Sequence, residues 1–205
     1  MNQAVNFETL IKRCDIDKAF QKMDKQYFIA ANPQVGRVVI SLIAVWGAEE
    51  RQTELKKIYI KHETEMDQVV KRITRLLAKH PKAKVLINRN GTGNILAELL
   101  HIKAIPFKAI QWGSRCFSNK DRKDYVDRRA QAYVCLSRAI HQGRFKFKTE
   151  DHKELIIEQL ISIPYEFDGS GRFRIFSKSK IKELGLPLPD ISETLAYVFL
   201  EGVNV

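Results

Sequence analysis

Four oxygen-bearing side chains stand where short apolar stretches of the sequence end or where a C-terminal helix is expected to begin. Asn32 ends the stretch YFIAAN, Asn88 ends VLIN, and Asp190 and Glu193 follow the sequence PLP. Carboxylate and amide oxygens are ligands for hard cations such as Mg²⁺ and Mn²⁺, and two such ions can drive phosphodiester hydrolysis. Because two of the four positions carry amides, half of the charge of such a site is missing.

The two asparagines also fit a purely structural role. ANP (31–33) and NRNG (88–91) are sequences in which an asparagine side chain bonds to the nearby main chain and stabilises a turn. The residue types alone therefore leave two interpretations open, a weakened cation site or two ordinary turns.

Other chemistries have little support in the sequence. The histidines are isolated and form no H-E-x-x-H pair, and no G-x-S-x-G sequence is present. NGTGN (90–94) opens a predicted helix but lacks the lysine of a phosphate-binding loop. Cys14, Cys116 and Cys135 are widely spaced without a C-x-x-C pair, so they are expected to be reduced thiols rather than zinc ligands.

The apolar pattern predicts a succession of strands and helices that could bring the four positions together. Three β-rich stretches joined by short turns predict an antiparallel meander, and helical spacing then alternates with short apolar runs. The predicted elements are strands 27–32, 37–46 and 54–61, helix 65–80, strand 84–88, helix 93–102, strand 107–111, one long helix 119–142, helix 151–161, a hairpin with its turn at 168–171, and a final helix from Asp190.

This order is typical of an α/β fold with a ribonuclease-H-like mixed β-sheet flanked by helices, here with an added hairpin before the C-terminal helix. In such a sheet the ends of the first and fourth strands and the start of the last helix converge. Their carboxylates hold two cations roughly 3.5–4 Å apart in phosphodiester-cleaving members. Those places are Asn32, Asn88 and the pair Asp190 and Glu193, which lie at positions i and i+3 on one helix face.

Length and composition predict one domain. The chain has 205 residues, of which 44% are hydrophobic and 29% charged, which is enough for one substantial core. We expect a linker-like N-terminal arm over residues 1–25 and a single domain over residues 26–205. No stretch approaches the ~18 consecutive apolar residues of a membrane span, and the N-terminus does not resemble a signal peptide.

The positive charge of the chain is concentrated in two segments. The formal net charge is +11, of which residues 115–148 contribute +7 and residues 172–182 contribute +5. Such concentration favours a polyanion-binding face, and DNA or RNA is the expected partner class. Solvated helix faces are the alternative explanation.

Four segments in order resemble one family. They are YFIAANPQVG (27–36), VLINRNGTGNILAELL (85–100), FSNKDRKDYVDRRAQAYVCLSRAIHQGRFKF (117–147) and GRFRIFSKSKIKELGLPLPDISETLAYVFLEG (171–202). Together they are similar to the C-terminal nuclease domain of the large terminase subunit of tailed bacteriophages and prophages. The resemblance covers roughly residues 26–202.

The resemblance implies a ribonuclease-H-like domain that binds Mg²⁺ or Mn²⁺ and cuts concatemeric viral DNA during packaging. The family's first two acidic ligands fall on Asn32 and Asn88, the third falls on Asp190, and Glu193 stands where many members have a further aspartate. We expect these four positions to be the catalytic and metal positions. Because two of them are amides, weak metal binding and impaired cleavage are expected.

By the same resemblance, the basic residues are expected to hold the backbone of double-stranded DNA on both sides of the metal site. They are Lys120, Arg122, Arg128 and Arg129 on the long helix, and Arg172, Arg174, Lys178 and Lys180 on the hairpin. The family also implies a terminase ATPase domain, a small subunit and a portal as partners, in the cytoplasm of a bacterial host. The chain is expected to be an excised domain rather than a stand-alone protein.

Several alternatives stay open on sequence grounds. A non-catalytic DNA-binding or packaging module could keep the fold and the basic face while losing the metal site. A cellular resolvase or transposase fragment would share the fold, although the hairpin and the PD helix favour terminase. The asparagines could be natural or introduced. Some aromatic residues, namely Phe117, Tyr125, Tyr133, Phe145, Phe147, Phe173 and Phe176, could stack on bases, with core packing as the alternative.

Overall fold

The computed structural model describes residues 24–47, 51–110 and 112–200. Within these residues one mixed sheet has six strands in the order β5-β4-β1-β2-β3-β6, and a separate antiparallel hairpin is formed by β7 and β8. The strands are β1 Gln26–Gln34, β2 Arg37–Trp46, β3 Gln52–Lys61, β4 Lys84–Asn88, β5 Lys108–Ile110, β6 Phe145–Phe147, β7 Tyr165–Phe167 and β8 Phe173–Ile175.

Helices lie between the strands and at the end of the described chain. The α-helices are α1 Met66–Lys79, α2 Gly93–Ile102, α3 Asn119–Asp124, α4 Arg128–His141, α5 Lys153–Ile161, α6 Lys178–Glu183 and α7 Asp190–Ala196. Short 3₁₀ turns, Glu63–Glu65 and Tyr197–Phe199, precede α1 and follow α7. In the described part of the chain, no helix is both long enough and apolar enough to cross a membrane.

The central strands are buried on both faces because helices cover both sides of the sheet. Phe28 and Ala30 of β1 point into a core shared with α4, α5 and α7. The alternating residues Ile29 and Ala31 point into a second core shared with α1 and α2. This arrangement explains why β1 and β2 have continuous apolar runs instead of an apolar and polar alternation.

The topology brings the ends of two strands to one edge of the sheet. β1 and β4 are parallel, with Ala31 paired to Ile87, so the next residues along, Asn32 and Asn88, are neighbours at that edge. β1 and β2 are antiparallel across a turn in which Gly36 has a φ of +86°, and this turn returns Arg37 to the same edge.

Helix α7 is buried against the sheet and reaches the same edge with its first turn. Thr194 and Ser41 of β2 share a hydroxyl hydrogen bond of 2.6 Å, and the side-chain oxygen of Gln159 accepts a hydrogen bond of 2.8 Å from the Ile191 main chain. These bonds join α7 to β2 of the sheet and to the neighbouring helix α5. Asp190 and Glu193 in its first turn therefore lie beside the end of β1.

The single long helix predicted over 119–142 is wrong, because the structure has two helices there. Between α3 and α4, Tyr125 is extended and buried, and it forms a β-bridge with Phe173 of the hairpin. Asp127 then caps α4 by accepting a 2.8 Å hydrogen bond from the Ala130 main chain. The β-bridge to the hairpin therefore interrupts the helix at Tyr125, although the apolar residues of this stretch keep helical spacing.

The predicted fold class is confirmed: the sheet is mixed, helices flank it, and a hairpin precedes the C-terminal helix. Two short elements were not predicted, the strand β6, which pairs in parallel with β3, and the helix α6. The arm predicted over residues 1–25 lies outside the described residues except for Asp24 and Lys25.

Candidate functional site

A cleft with a volume of about 360 Å³ opens at the edge of the sheet where β1 and β4 end. Its walls come from the β1–β2 turn, the turn before α2, the start of α4 and the start of α6. The lining residues are Pro33, Gln34, Val35, Asn88, Asn90, Gly91, Thr92, Trp112, Arg129, Ser177, Lys178 and Glu193.

The two asparagines lie side by side at the base of this cleft. The Asn88 amide donates a hydrogen bond of 3.3 Å to the side-chain oxygen of Asn32, which also accepts one of 2.8 Å from Gln34. The Asn32 amide in turn donates to Glu193 Oε2 at 2.8 Å and to the Asp190 main-chain oxygen at 3.1 Å. Asn32 therefore links β1 to β4 and to α7. Both its side-chain nitrogen and its side-chain oxygen form hydrogen bonds within the protein.

The turn after β4 is built around close contact between the main chain of Asn88 and α2. The Asn88 side-chain oxygen accepts a 3.1 Å hydrogen bond from the Asn90 main chain, and Gly91 has a φ of +56°. A Cβ atom at Gly93 would lie 1.8 Å from the Asn88 main-chain oxygen, so only glycine fits there. Asn88 therefore both stabilises the turn and lines the cleft.

Asp190 is buried and contacts two cations. Its Oδ2 receives the Arg37 guanidinium, with Nε at 2.8 Å and a terminal nitrogen at 2.7 Å. Its Oδ1 lies 3.4 Å from the Lys178 ammonium. Both oxygens of this carboxylate therefore face positive charge supplied by the chain itself.

Glu193 is equally buried and is neutralised in the same way. Lys178 Nζ lies 2.8 Å from Oε2, and a terminal nitrogen of Arg129 lies 3.4 Å from Oε1. Arg129 is held in place by a further hydrogen bond of 3.0 Å to the Phe176 main-chain oxygen. Lys178 thus bridges Asp190 and Glu193 and occupies the space between the two carboxylates.

A layer of tyrosines lies behind the carboxylates. Tyr133 shares a 3.2 Å hydrogen bond with Ser192, and Tyr197 packs against Trp112 with ring centroids 5.0 Å apart. Burial, and after it the negative charge of Glu193, raises the pKa of both tyrosines well above their usual range. Both phenols therefore stay protonated at neutral pH and cannot act as bases.

The donor set does not fit a pair of divalent cations. Each carboxylate oxygen of Asp190 and Glu193 lies within ion-pair distance of an arginine or a lysine, and each amide oxygen of Asn32 and Asn88 accepts a hydrogen bond. No group of three or more histidine, cysteine, aspartate and glutamate side chains suited to a metal occurs within residues 24–47, 51–110 and 112–200. Both carboxylates of the site are thus paired with cations of the chain itself.

The basic residues expected on the hairpin lie elsewhere or are paired with acids. Lys178 and Lys180 belong to α6, because the hairpin ends at Ile175. Arg172 forms a 2.7 Å ion pair with Asp168, and Glu166 receives Arg174 at 3.6 Å and Lys180 at 3.2 Å. The charge of these hairpin cations is therefore largely balanced locally.

The other cations form a basic ridge, which we define as Arg115, Lys120, Arg122, Lys123 and Arg128. Their positions correct the long-helix prediction, since Lys120 and Arg122 lie on α3 whereas Arg128 and Arg129 begin α4. Arg122 donates a 2.7 Å hydrogen bond to the Cys116 main-chain oxygen, and Arg128 donates one of 2.9 Å to that of Arg115. The acceptors in these two bonds are main-chain oxygens, which carry no formal charge, so the bonds do not neutralise either arginine.

The residues at the site that were not selected from the sequence include Arg37, which pairs with Asp190, and Trp112, which lines the cleft. A usable signal existed for Arg37, because a two-residue turn after β1 pairs it with Gln34 and returns it to the edge that carries Asn32. Trp112 is buried and reaches the cleft from the loop after β5, and apolar periodicity has no bearing on such a loop residue.

Comparison with known proteins finds similarity at the level of structure. No protein-family model and no curated protein matches the chain. The nuclease domain of the large terminase subunit gp2 of bacterial virus Sf6 is 18% identical, with a TM-score of 0.66, and the match covers 89% of this chain and 91% of that domain. A mutant of the Sf6 domain with manganese has a TM-score of 0.64 at 17% identity, covering 89% of this chain and 92% of that one.

A second phage nuclease has the same arrangement. The large terminase nuclease from thermophilic phage G20c, with bound magnesium, is 17% identical and has a TM-score of 0.57, with 86% of this chain and 81% of that chain covered. The resemblance seen in the sequence is confirmed at the level of the fold. The chain therefore has the ribonuclease-H-like fold of the nuclease domains of phage large terminase subunits.

Proposed function

We propose that this chain is a DNA-binding module of a viral DNA-packaging terminase, one that holds double-stranded DNA without metal-dependent cleavage. One observation carries the proposal: in the cleft, Lys178 lies between Asp190 and Glu193, and Arg37 and Arg129 contact the outer oxygens of the same carboxylates. The negative charge that a nuclease of this fold would offer to metal ions is already balanced by the chain.

Electrostatics set the competition between this internal balance and a metal. Two unit charges 4 Å apart interact by about 4 kcal/mol at an effective dielectric constant of about 20, and a divalent ion doubles both the attraction to each carboxylate and the repulsion from each cation that stays. An ion placed between Asp190 and Glu193 would have to displace Lys178 Nζ, and Arg37 and Arg129 would still repel it. The amides at Asn32 and Asn88 provide no negative charge to offset that repulsion.

The charge distribution supports DNA as the partner. Most of the net charge of +11 lies in residues 115–148, which run from the basic ridge through α4 and β6, and in residues 172–182, which contain β8 and most of α6. The ridge lies next to the cleft, since Trp112 and Arg129 line the cleft at either end of the ridge segment. Phosphate contacts from such a surface release counterions and position a duplex without selecting a base sequence.

A metal-dependent endonuclease is the second candidate. Two buried carboxylates remain at the cleft, and the structures similar to this one include a nuclease domain with manganese and one with bound magnesium. In that function Asn32, Asn88, Asp190 and Glu193 would face the scissile phosphate with Mg²⁺ or Mn²⁺, and Lys178 would have to leave its bridging position. Cleavage of concatemeric DNA would then be the reaction.

Either function would place the chain in the same setting. Residues 26–205 would form the domain, residues 1–25 would lead to it from a terminase ATPase domain, and a small subunit and a portal would complete the complex in the cytoplasm of a bacterial host. The eight basic residues Lys120, Arg122, Arg128, Arg129, Arg172, Arg174, Lys178 and Lys180 are proposed on the DNA-facing side, with the paired ones contributing less.

The test combines cleavage and binding in one buffer. Supercoiled plasmid is incubated with the protein and Mg²⁺ or Mn²⁺, while fluorescence anisotropy measures binding of a labelled duplex over a range of salt. We expect salt-sensitive binding and no nicking above the level of the matched variant Asp190→Asn. Metal-dependent nicking that Asp190→Asn abolishes would establish the endonuclease instead, and absence of duplex binding would refute both functions.

A further inference from the structure

We propose that Phe117 and Arg128 form a stacking platform for a nucleobase on the segment between Trp112 and Arg129, two residues that line the cleft. The inference rests on the DNA binding proposed above and adds to it a class of ligand, an unpaired base in distorted or single-stranded DNA. It begins with the loop that joins β5 to α3. The loop starts at Trp112, which lines the cleft, and reaches Phe117 at the protein surface.

The loop has a firm anchor at each end. Trp112 is buried between Tyr133 and Tyr197, with ring centroids 6.2 and 5.0 Å away. Cys116, immediately before Phe117, is also buried. Phe117 itself has 55% of its surface exposed. The chain thus passes from one buried side chain to another and then presents an aromatic ring to solvent.

Hydrogen bonds from α3 and α4 hold the main chain of this loop. Arg128 donates from its main chain to the Ser114 oxygen and from Nε to the Arg115 oxygen, both at 2.9 Å. Arg122 donates to the Cys116 oxygen at 2.7 Å. Three hydrogen bonds from α3 and α4 therefore hold the main chain immediately before Phe117, which reduces the entropy lost when a ligand stacks on the ring.

The ring is also paired with a planar cation. The guanidinium carbon of Arg128 lies 3.6 Å from the centroid of the Phe117 ring, a stacked cation–π contact. An exposed phenylalanine forgoes the hydrophobic stabilisation that burial would bring. A fixed aromatic ring beside a planar guanidinium matches the chemistry that binds nucleobases of single strands. Lys120 and Lys123, which are exposed on the following helix α3, are the cations we assign to the flanking phosphates.

The other exposed aromatic rings suit this role less well. Tyr165 and Phe167 of the hairpin are exposed, but both rings pack against Phe173, with centroids 4.8 and 5.9 Å away. The cations beside them, Arg174 and Lys180, are paired with Glu166. Phe147 is also exposed, but its ring packs against Phe145 with centroids 5.0 Å apart. Among the exposed rings of the described residues, Phe117 therefore stands beside a cation whose bonded groups are main-chain oxygens.

The first experiment compares two labelled DNAs, a perfect duplex and the same duplex with a short unpaired stretch at its centre. We expect the protein to prefer the second. Phe117→Ala should weaken binding to the DNA with the unpaired stretch by roughly 5- to 150-fold, the range for loss of one stacked base, and leave duplex binding nearly unchanged. Phe117→Trp should retain the preference. Ile102→Ala, at an exposed apolar residue at the far end of α2, is the matched control.

A second measurement locates the base. An oligonucleotide carrying 5-iododeoxyuridine in the unpaired stretch is photo-cross-linked to the wild-type protein, and mass spectrometry identifies the linked residue. Cross-linking at Phe117 is the expected result, and cross-linking confined to other aromatic residues would overturn the platform.

The outcomes separate this inference from the proposed function. Equal weakening of both DNAs by Phe117→Ala would show a backbone contact and overturn base stacking, and so would unchanged binding of both. If the wild-type protein binds neither DNA, the proposed function fails together with the platform. Circular dichroism melting of Phe117→Ala, expected to match wild type because the side chain is exposed, excludes misfolding as the cause of a loss.

Discussion

The cleft and the basic ridge use the same residue types in opposite ways. In the cleft, Arg37, Arg129 and Lys178 all contact the carboxylates of Asp190 and Glu193. On the ridge, Arg122 and Arg128 bond to main-chain oxygens, and Arg128 also stacks on a ring. Formal charge alone does not locate a DNA-binding surface, because charge that is balanced inside the protein contributes little to it.

The two regions also differ in burial, which decides what a substitution in each should affect. Asp190 and Glu193 are about 1% exposed, so their charges must be compensated by the chain, whereas ridge side chains such as Lys120 and Lys123 are exposed and hydrated. We therefore expect substitutions in the cleft to change stability and substitutions on the ridge to change DNA binding.

The largest effect is expected from Glu193→Ala. The change removes the carboxylate partner of Arg129, leaves Lys178 paired with Asp190 alone, and takes from the Asn32 amide one of its two acceptors. It should lower the free energy of unfolding by about 3–5 kcal/mol. Glu166→Ala, which removes an exposed partner of Arg174 and Lys180, is the control and should change stability by about 1 kcal/mol or less. Urea denaturation measures both, and similar losses would contradict the distinction between the two regions.

A smaller effect is expected from Gly93→Ala at the cleft rim. The new Cβ would meet the Asn88 main-chain oxygen, so the turn between β4 and α2 must shift, at a loss of about 1–3 kcal/mol. Gly113→Ala is the matched control, since a Cβ there has open space. Thermal unfolding followed by circular dichroism compares the two, and an unchanged Gly93→Ala protein would show that the close approach is unimportant.

DNA binding provides the third test. Lys120→Gln combined with Lys123→Gln should reduce the slope of log affinity against log salt by about 0.9 for each phosphate that the protein no longer neutralises. Arg174→Gln combined with Lys180→Gln removes the same formal charge next to Glu166 and should reduce the slope less. Equal reductions would mean that the ion pairs of the hairpin open when DNA binds.

The smallest effect concerns the hairpin turn and pH. Hydrogen bonds from the Arg172 main chain and side chain lower the pKa of Asp168 from the usual 3.8 to about 2. A carboxyl group with a lowered pKa in the folded state stabilises the fold above its usual pKa and loses that contribution as the pH falls from about 4 toward 2. NMR titration of Asp168 should show the low value, and Arg172→Gln should move it toward 3.8. A titration near 3.8 in the wild-type protein would contradict the pairing.

Much of the frame could be predicted because it depends on local pattern. Continuous apolar runs identified β1, β2 and β4, and the glycines of NGTGN marked the close turn into α2. The parallel alignment of β1 and β4 then brought Asn32 beside Asn88, as expected from the order of the elements.

Other features depend on tertiary contacts that have no local signal. The break at Tyr125 arises from pairing with the hairpin, although the apolar stripe continues through it. α6 has only six residues and β6 only three, too few to show periodicity. The bridging position of Lys178 depends on how the segment between β8 and α7 folds back to the cleft, so it could be found only in the structure.

Mn²⁺ binding measured by electron paramagnetic resonance tests the central claim most directly. Wild-type protein is titrated with Mn²⁺ beside the double variant Asn32→Asp and Asn88→Asp, which returns two carboxylates to the base of the cleft. If the remaining carboxylates are neutralised by the chain's own cations, the wild-type protein binds at most one Mn²⁺ weakly, near Asp190, while the double variant binds saturably at lower concentration. Saturable binding of two Mn²⁺ ions by the wild-type protein would contradict the account.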